Sequence, residues 1–445
     1  MTILRIVNGT LVNEGRVFEA DIEMRDGRIH AIAPDLGGRP ADRVIDASRM
    51  LVLPGMIDDQ VHFREPGFEY KGDLASESRA AVAGGITSFM EMPNTDPLTI
   101  DNAALRDKHT RARDKSFGNW GFYLGATKDN LEAIKAVDTS LACGIKVFMG
   151  ASTGSMLVDD PDVLEAIFAS APLLVATHCE DTPTIAANYE RLTRGLEGEC
   201  PPELHAEIRS REACLKSSKL AVELARRHGT RLHVLHLTTA DELDLFEPGP
   251  IERKQITVEA CVHHLFFDAS HYARKGALIK CNPAIKLASD RQALLAAVNE
   301  DRIDIIATDH APHTAEEKSR PFLQAPAGLP LVQHALLSLL EHWHDDVFSL
   351  ERIVQKTAHA PALRFGVRER GFLREGYHAD IVIVDPNTTV AVREQKLLSK
   401  CGWSPFEDVR FRSRIRATIV NGTVAWENDR LAAASAAMPL EFQRS

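Results

Sequence analysis

Long apolar runs are missing from this 445-residue chain. No stretch approaches the ~18 uninterrupted apolar residues that a helical membrane span needs, so a soluble chain with no membrane partner is expected. A surplus of positive charge is missing too. The formal net charge is −11, which argues against a nucleic-acid partner, because phosphate binding rests on clustered cations. A small anionic substrate stays compatible with that charge, since a few local donors decide its binding. The opening residues Met1-Thr2-Ile3-Leu4-Arg5 lack the apolar segment and small-residue cleavage pattern of a signal peptide. Paired cysteines are also lacking. The seven cysteines are an odd set, scattered from Cys143 to Cys401 with no C-x-x-C, so free thiols in a reducing cytoplasm are expected rather than a disulfide framework.

What is present is ordinary globular material, 44% hydrophobic and 26% charged. It is long enough for one large domain and a smaller one. The two ends echo each other: Ile6-Val7-Asn8-Gly9-Thr10 recurs as Ile419-Val420-Asn421-Gly422-Thr423, each a short β-branched run broken by a turn-forming Asn-Gly. Asp26-Gly27 reads as a hairpin turn, and Ala379–Val384 as an apolar strand stopped by Asp385-Pro386. Residues 1–54 and 366–445 are therefore expected to build one composite β-sandwich domain that the chain leaves and re-enters. The Ala-rich tail after Arg430 either wraps the surface or frays.

Between them, residues 55–365 alternate strand with helix. Candidate strands with their exits are Val52–His62, Thr87–Asn94, Gly121–Ala126, Ile145–Gly150, Leu173–His178, Leu232–His236, Ile256–Val262 and Ile303–Asp309. Leu215–His228 and Arg291–Asn299 read as helices among them. Eight such units predict a (β/α)₈ TIM barrel rather than an open doubly wound sheet. The Asp181–Ser210 connection is longer than the fold needs and is expected to cover part of the site.

Nearly every polar residue suited to catalysis falls at the C-terminal end of one of these strands, where barrel enzymes place their active sites. Gln60, His62 and Arg64 share one face of strand one by its period of two. Lys146 stands in the apolar run Gly144–Gly150, where its charge must be neutralised, paired or used. His178, His236 and Asp309 close strands five, six and eight. Three imidazoles and a carboxylate make a zinc-type ligand set. His263 and His264, being adjacent, are expected on opposite faces of a strand in supporting or packing roles, His342 and His344 on a helix surface, and Asp58 and Asp59 in structural roles.

These residues and motifs resemble the amidohydrolase superfamily over nearly the whole chain, and within it the dihydroorotases. The marks are His62-Phe63-Arg64-Glu65-Pro66-Gly67, Met92-Pro93-Asn94-Thr95, Asn282-Pro283 and Thr308-Asp309-His310-Ala311-Pro312-His313. The resemblance implies that His62 and Asp309 bind one metal and His178 and His236 a second. Lys146, carboxylated on its amine, would bridge them, with zinc the default ion at one or two per chain. It assigns Arg64, Asn94 and His313 to a substrate carboxylate, and Asn282 with the backbone at Ala327 and Gly328 to the pyrimidine ring. The chain departs from the pattern at Gln60, where most of the family has histidine, and that weakens the first metal position.

The implied reaction is the reversible hydrolysis of dihydroorotate to N-carbamoyl-aspartate in pyrimidine biosynthesis, with Asp309 moving the proton. Another cyclic amidohydrolase, a hydantoinase or an allantoinase, is the near rival. Such enzymes usually take substrates without a ring carboxylate and would leave Arg64 little to do. A catalytically silent scaffold is the rival from another class, though only Gln60 departs from the ligand set. The expected partner is a small molecule; a homo-oligomer is allowed, and the expected location is cytoplasmic.

Overall fold

The computed structural model describes residues 2–38, 40–150, 156–196 and 200–444. Eight parallel strands stand side by side in chain order: β1 (Met56–Val61), β2 (Ile86–Glu91), β3 (Asn119–Gly125), β4 (Ala142–Phe148), β5 (Val175–His178), β6 (Leu232–Val234), β7 (Ile256–Cys261) and β8 (Ile305–Ala307). Val61 pairs in parallel with His310, and the His62 amide donates to the His310 carbonyl at 2.7 Å, which joins the exit of β8 to β1 and closes the barrel. Strands covered on both faces read as nearly continuous apolar runs. Polar side chains are nevertheless buried within them, most densely in β1, where Asp58, Asp59 and Gln60 stand beside Met56, Ile57 and Val61. Each of those polar groups therefore has to find a partner inside the barrel.

The expected helices are longer by a few residues than their apolar periodicity. Arg211–His228 starts on the Ser210 side chain, which accepts from the Ala213 amide, and ends on Gly229 at φ 70°. Ala288–Asn299 contains the second one. The Asp181–Ser210 connection carries two helices, Thr182–Thr193 and Leu204–Ile208; its Glu197–Glu199 lies outside the described residues.

The chain ends form the expected sandwich. One nine-stranded sheet runs Arg28–Ala33, Arg16–Arg25, Ile3–Asn13, Leu51–Pro54, Ile381–Asp385, Arg414–Val420, Thr423–Glu427 and Arg430–Leu431, with Arg43–Asp46 also pairing to Ile3–Asn13. Ile6, Leu11, Ile22, Met24, Val52, Ile381, Ile383 and Ile419 give it a core of its own. The two Asn-Gly echoes differ in use. Asn421-Gly422 turns a hairpin, whereas Asn8-Gly9 is a bulge within the single strand Ile3–Asn13. Asp26-Gly27 does turn the hairpin read from the sequence, both residues at positive φ.

The C-terminal part does not stay with its sheet. The Trp403 indole donates to the His313 carbonyl at 2.8 Å. The tail wraps the barrel: the Leu440 amide donates to the Trp120 carbonyl at 2.8 Å, and Leu440 is buried.

Candidate active site

At the C-terminal ends of the strands lies a cavity of about 200 Å³. Its lining includes every candidate named from the sequence: His62, Arg64, Asn94, Lys146, His178, His236, Asn282, Asp309, His313, Ala327 and Gly328, together with Gln60. Three of these leave ordinary strand geometry to reach it. Arg64, His236 and Asp309 have φ of 74°, 41° and 52°, a region that non-glycine residues enter at a cost and mostly at functional positions.

One corner joins β1 to the exit of β8. His62 Nδ1 lies 2.7 Å from Asn94 Oδ1, and His62 Nε2 lies 3.1 Å from Asp309 Oδ1. Burial holds the His62 pKa below its usual value against the pull of Asp309. Asp309 itself stays below the carboxylate range: burial would raise it, but His62 and the neighbouring cations outweigh that. With its proton on Nδ1, a neutral His62 turns a lone pair toward a carboxylate oxygen, an arrangement that a cation between them satisfies. Gln60 reaches the same oxygen, its amide Nε2 donating to Asp309 Oδ1 at 3.1 Å. An ionised carboxylate only accepts, so the nitrogen end of Gln60 must face Asp309 and the oxygen end must face away.

The opposite corner is built by β4, β5 and the exit of β6. His178 Nδ1 lies 3.0 Å from His236 Nε2, and His236 Nδ1 is buried without a hydrogen-bond partner. Burial depresses both imidazoles, so both are neutral as metal ligands require. Lys146 pairs in register with Ala176, two residues deeper than His178, and its long side chain brings the amine up to the cavity. That amine lies 4.5 Å from the Phe148 ring centroid, has no carboxylate partner among the described residues, and is pushed down by burial to about 8. Paired lone pairs, an orphaned imidazole nitrogen and a readily deprotonated amine form a donor set that fits divalent cations.

On the third side Arg64 donates from Nε to the Pro312 carbonyl at 3.1 Å and lies 3.1 Å from His313 Nε2. Among the described residues no carboxylate pairs with Arg64. Burial and the Arg64 and Lys71 cations keep His313 neutral. Lys71 lies 3.2 Å from His313 Nδ1, and His313 Nε2 lies 3.0 Å from the Ala327 carbonyl oxygen. The Asn282 Oδ1 atom is buried with no partner, and the Gly328 amide donates to the Lys280 carbonyl at 2.9 Å.

A supporting layer lies beneath, most of it not singled out from the sequence. Glu180 accepts from His178 Nε2 at 3.0 Å and pairs with Arg209. Asp58 accepts from the Thr308 hydroxyl at 2.6 Å, tying β1 to β8. His233 lies 3.2 Å from Asp59 and 3.3 Å from Glu259, and Glu259 accepts the His236 amide at 3.0 Å. Burial alone would lower the His233 pKa, but these two carboxylates raise it to about 9. The clue available in the sequence was the acidic residues inside apolar strands, each needing a buried partner.

Two expectations are corrected. His263 and His264 do not sit on opposite faces of a strand, because the chain turns at Val262 into the short helix Val262–Phe266 and their rings lie 4.0 Å apart. His342 and His344 are half-buried rather than surface residues, His342 packing on Phe348 and His344 reaching the Ser413 hydroxyl at 2.9 Å.

Comparison with known proteins agrees with this architecture. Residues 51–425 match the model of the Amidohydrolase family. A dihydroorotase of Halobacterium salinarum is 34% identical over 97% of this chain and 98% of its own length. An allantoinase of Solibacter usitatus is 32% identical over 95% of this chain and 93% of its own. The solved structure of an L-hydantoinase from Arthrobacter aurescens superposes with a TM-score of 0.93 at 26% identity, covering 99% of this chain and all of that one. A family match over most of the chain and relatives above 30% identity along nearly its full length lead to one conclusion: the chain belongs to the amidohydrolase family.

Proposed function

We propose that this chain is a metal-dependent hydrolase of cyclic amides whose substrate is dihydroorotate, opened reversibly to N-carbamoyl-aspartate. The observation that carries the choice of substrate is Arg64: a largely buried guanidinium, beside the metal donors, with no carboxylate of its own. A planar fork held in that way suits bidentate capture of a carboxylate. Asn94 and His313 line the cavity beside it as further polar groups. Hydantoin and allantoin carry no ring carboxylate and would leave this cation unanswered. The relatives include both dihydroorotases and allantoinases, so their names alone do not choose.

In this reading His62 and Asp309 would hold one ion and His178 and His236 another, with zinc the default and one or two per chain. Lys146 would join both sets of donors as a carbamate, formed when its neutral amine attacks carbon dioxide and gives up a proton. A pKa near 8 leaves enough neutral amine for that step. Bound ions there would polarise the scissile carbonyl and make nearby water more acidic. Asp309 takes the proton of the attacking water and delivers it to the leaving ring nitrogen. Glu180 fixes the His178 ring so that its Nδ1 lone pair faces the cavity. Residues 55–365 form the hydrolase domain in this reading, and 1–54 with 366–445 the β-domain.

The test is activity on dihydroorotate, hydantoin and allantoin, measured with metal content per chain. Dihydroorotate should be preferred. Arg64→Met should lower kcat/KM for it by at least roughly tenfold, since charge-assisted bonds contribute about 1.5–3 kcal/mol each, and should affect neutral ureides far less. A wild-type preference for hydantoin or allantoin would overturn the assignment.

A further inference from the structure

We propose that Cys261, His263 and His264 form a separate metal site, taking a thiophilic divalent cation of the zinc class. The Cys261 sulfur and one ring nitrogen from each histidine all lie within 4.8 Å of one another, and all three residues are buried. Zinc bonds of ~2.0–2.3 Å put tetrahedral ligands about 3.4–3.8 Å apart, so shifts of roughly 1 Å close the set on an ion.

Local structure explains why they meet. Cys261 ends β7, and the helix Val262–Phe266 begins at the next residue. A continued strand would alternate these side chains; the abrupt turn gathers positions 261, 263 and 264 on one side.

The second observation is that the imidazoles are unsatisfied. Neither ring nitrogen of His263 has a hydrogen-bond partner, nor does His264 Nδ1. The Thr308 carbonyl faces His263 without a bond of normal geometry. Leaving buried polar groups without hydrogen bonds is unfavourable, and a cation answers them together. His263 is pushed down by burial to about 4, hence neutral and able to ligate. The Asp59–His233–Glu259 cluster differs, because its one imidazole already stands between the two carboxylates, 3.2 Å from Asp59 and 3.3 Å from Glu259, with Nδ1 2.8 Å from the Thr257 hydroxyl.

Gln60 connects this site to the cavity. Its Oε1, turned away from Asp309, lies 3.8 Å from the Cys261 sulfur and offers a fourth ligand. On binding, the Cys261 S–H bond breaks, its proton passes to water and a sulfur–metal bond forms, with no change of oxidation state. None of the donors proposed for the catalytic ions is sulfur, so thiolate ligation reports this site alone.

The experiment uses the full chain purified from cobalt-supplemented cultures. X-ray absorption should show a cobalt–sulfur shell, and the near-ultraviolet spectrum a thiolate-to-cobalt charge-transfer band. Cys261→Ser should abolish the band and lower cobalt by one equivalent per chain; Cys401→Ser should leave both unchanged. Lys146→Ala should keep the band even as the catalytic ions are lost, which separates this site from the functional reading. Absence of a cobalt–sulfur shell in the unmodified chain, a measurement that needs no variant to fold, overturns the proposal, as does a band that survives Cys261→Ser.

Discussion

Lys146 and Gln60 are the two residues whose chemistry least suits their surroundings. A buried amine with an aromatic ring beside it, and with no carboxylate in ion-pair contact among the described residues, is unstable as an ammonium, which its pKa of about 8 expresses. Lys146→Ala should abolish hydrolysis and lower metal content, and a short carboxylic acid added to the variant should restore part of both by standing in for the carbamate. Full activity in the variant rules out a bridging role. Gln60 keeps the direction of the family's histidine but turns its nitrogen to Asp309. In the proposed reading it would orient the carboxylate instead of sharing in ligation, leaving the first position with His62, Asp309 and the carbamate. Elemental analysis of the purified chain should find between one and two ions at the catalytic position, with activity rising on added zinc. Gln60→His should raise occupancy there. Two tightly held catalytic ions in the wild type, unmoved by that substitution and by chelator titration, would show the amide to be an adequate ligand.

At the scale of elements, the site depends on how strands end. Polar residues inside apolar strands made the ends of β1, β4, β5, β6 and β8 legible from the sequence, because a barrel brings all those ends to one rim. The close of β7 was not legible. A period of two assigns His263 and His264 to opposite faces, and only the turn at Val262 reverses that. The loop after β8 gives a test. Gly328 has φ of 142°, and a Cβ there would lie 2.4 Å from the Ala311 carbonyl oxygen and 2.9 Å from His313 Cδ2. Gly328→Ala should displace His313 and the Ala327 carbonyl. Strain of about 1–3 kcal/mol corresponds to a fall of roughly tenfold in kcat/KM on dihydroorotate, with metal content unchanged. An unaltered KM and kcat would remove Gly328 from the substrate surface.

For the whole molecule the buried Asp59–His233–Glu259 cluster makes stability depend on pH. The His233 pKa is about 9 in the folded chain against 6.5 for the free side chain, so the folded state holds a proton that the unfolded chain releases. That contribution is complete below pH 6.5 and is lost as pH rises through about 9. It is of order 1–3 kcal/mol. Thermal unfolding should show Tm falling across this window, more steeply in the wild type than in His233→Gln. A Tm that is flat there would mean the imidazole is neutral and the carboxylates are answered some other way.

By itself, the sequence determined the periodic and chemical content of this protein. Alternating strand and helix predicted the barrel, turn dipeptides at both ends predicted the shared sheet, and polar residues at apolar strand exits marked the cavity. Those are local signals: hydrophobic period, backbone preference and residue type act over a few positions. The Asn8-Gly9 bulge, the half-burial of His342 and His344, the Trp403 indole on the His313 carbonyl and the gathering of Cys261 with His263 and His264 were settled only by tertiary structure. Each depends on what a distant or abruptly redirected segment packs against. Whether a buried polar atom finds a partner is a property of the assembled barrel, since burial is created by segments that the local sequence does not specify.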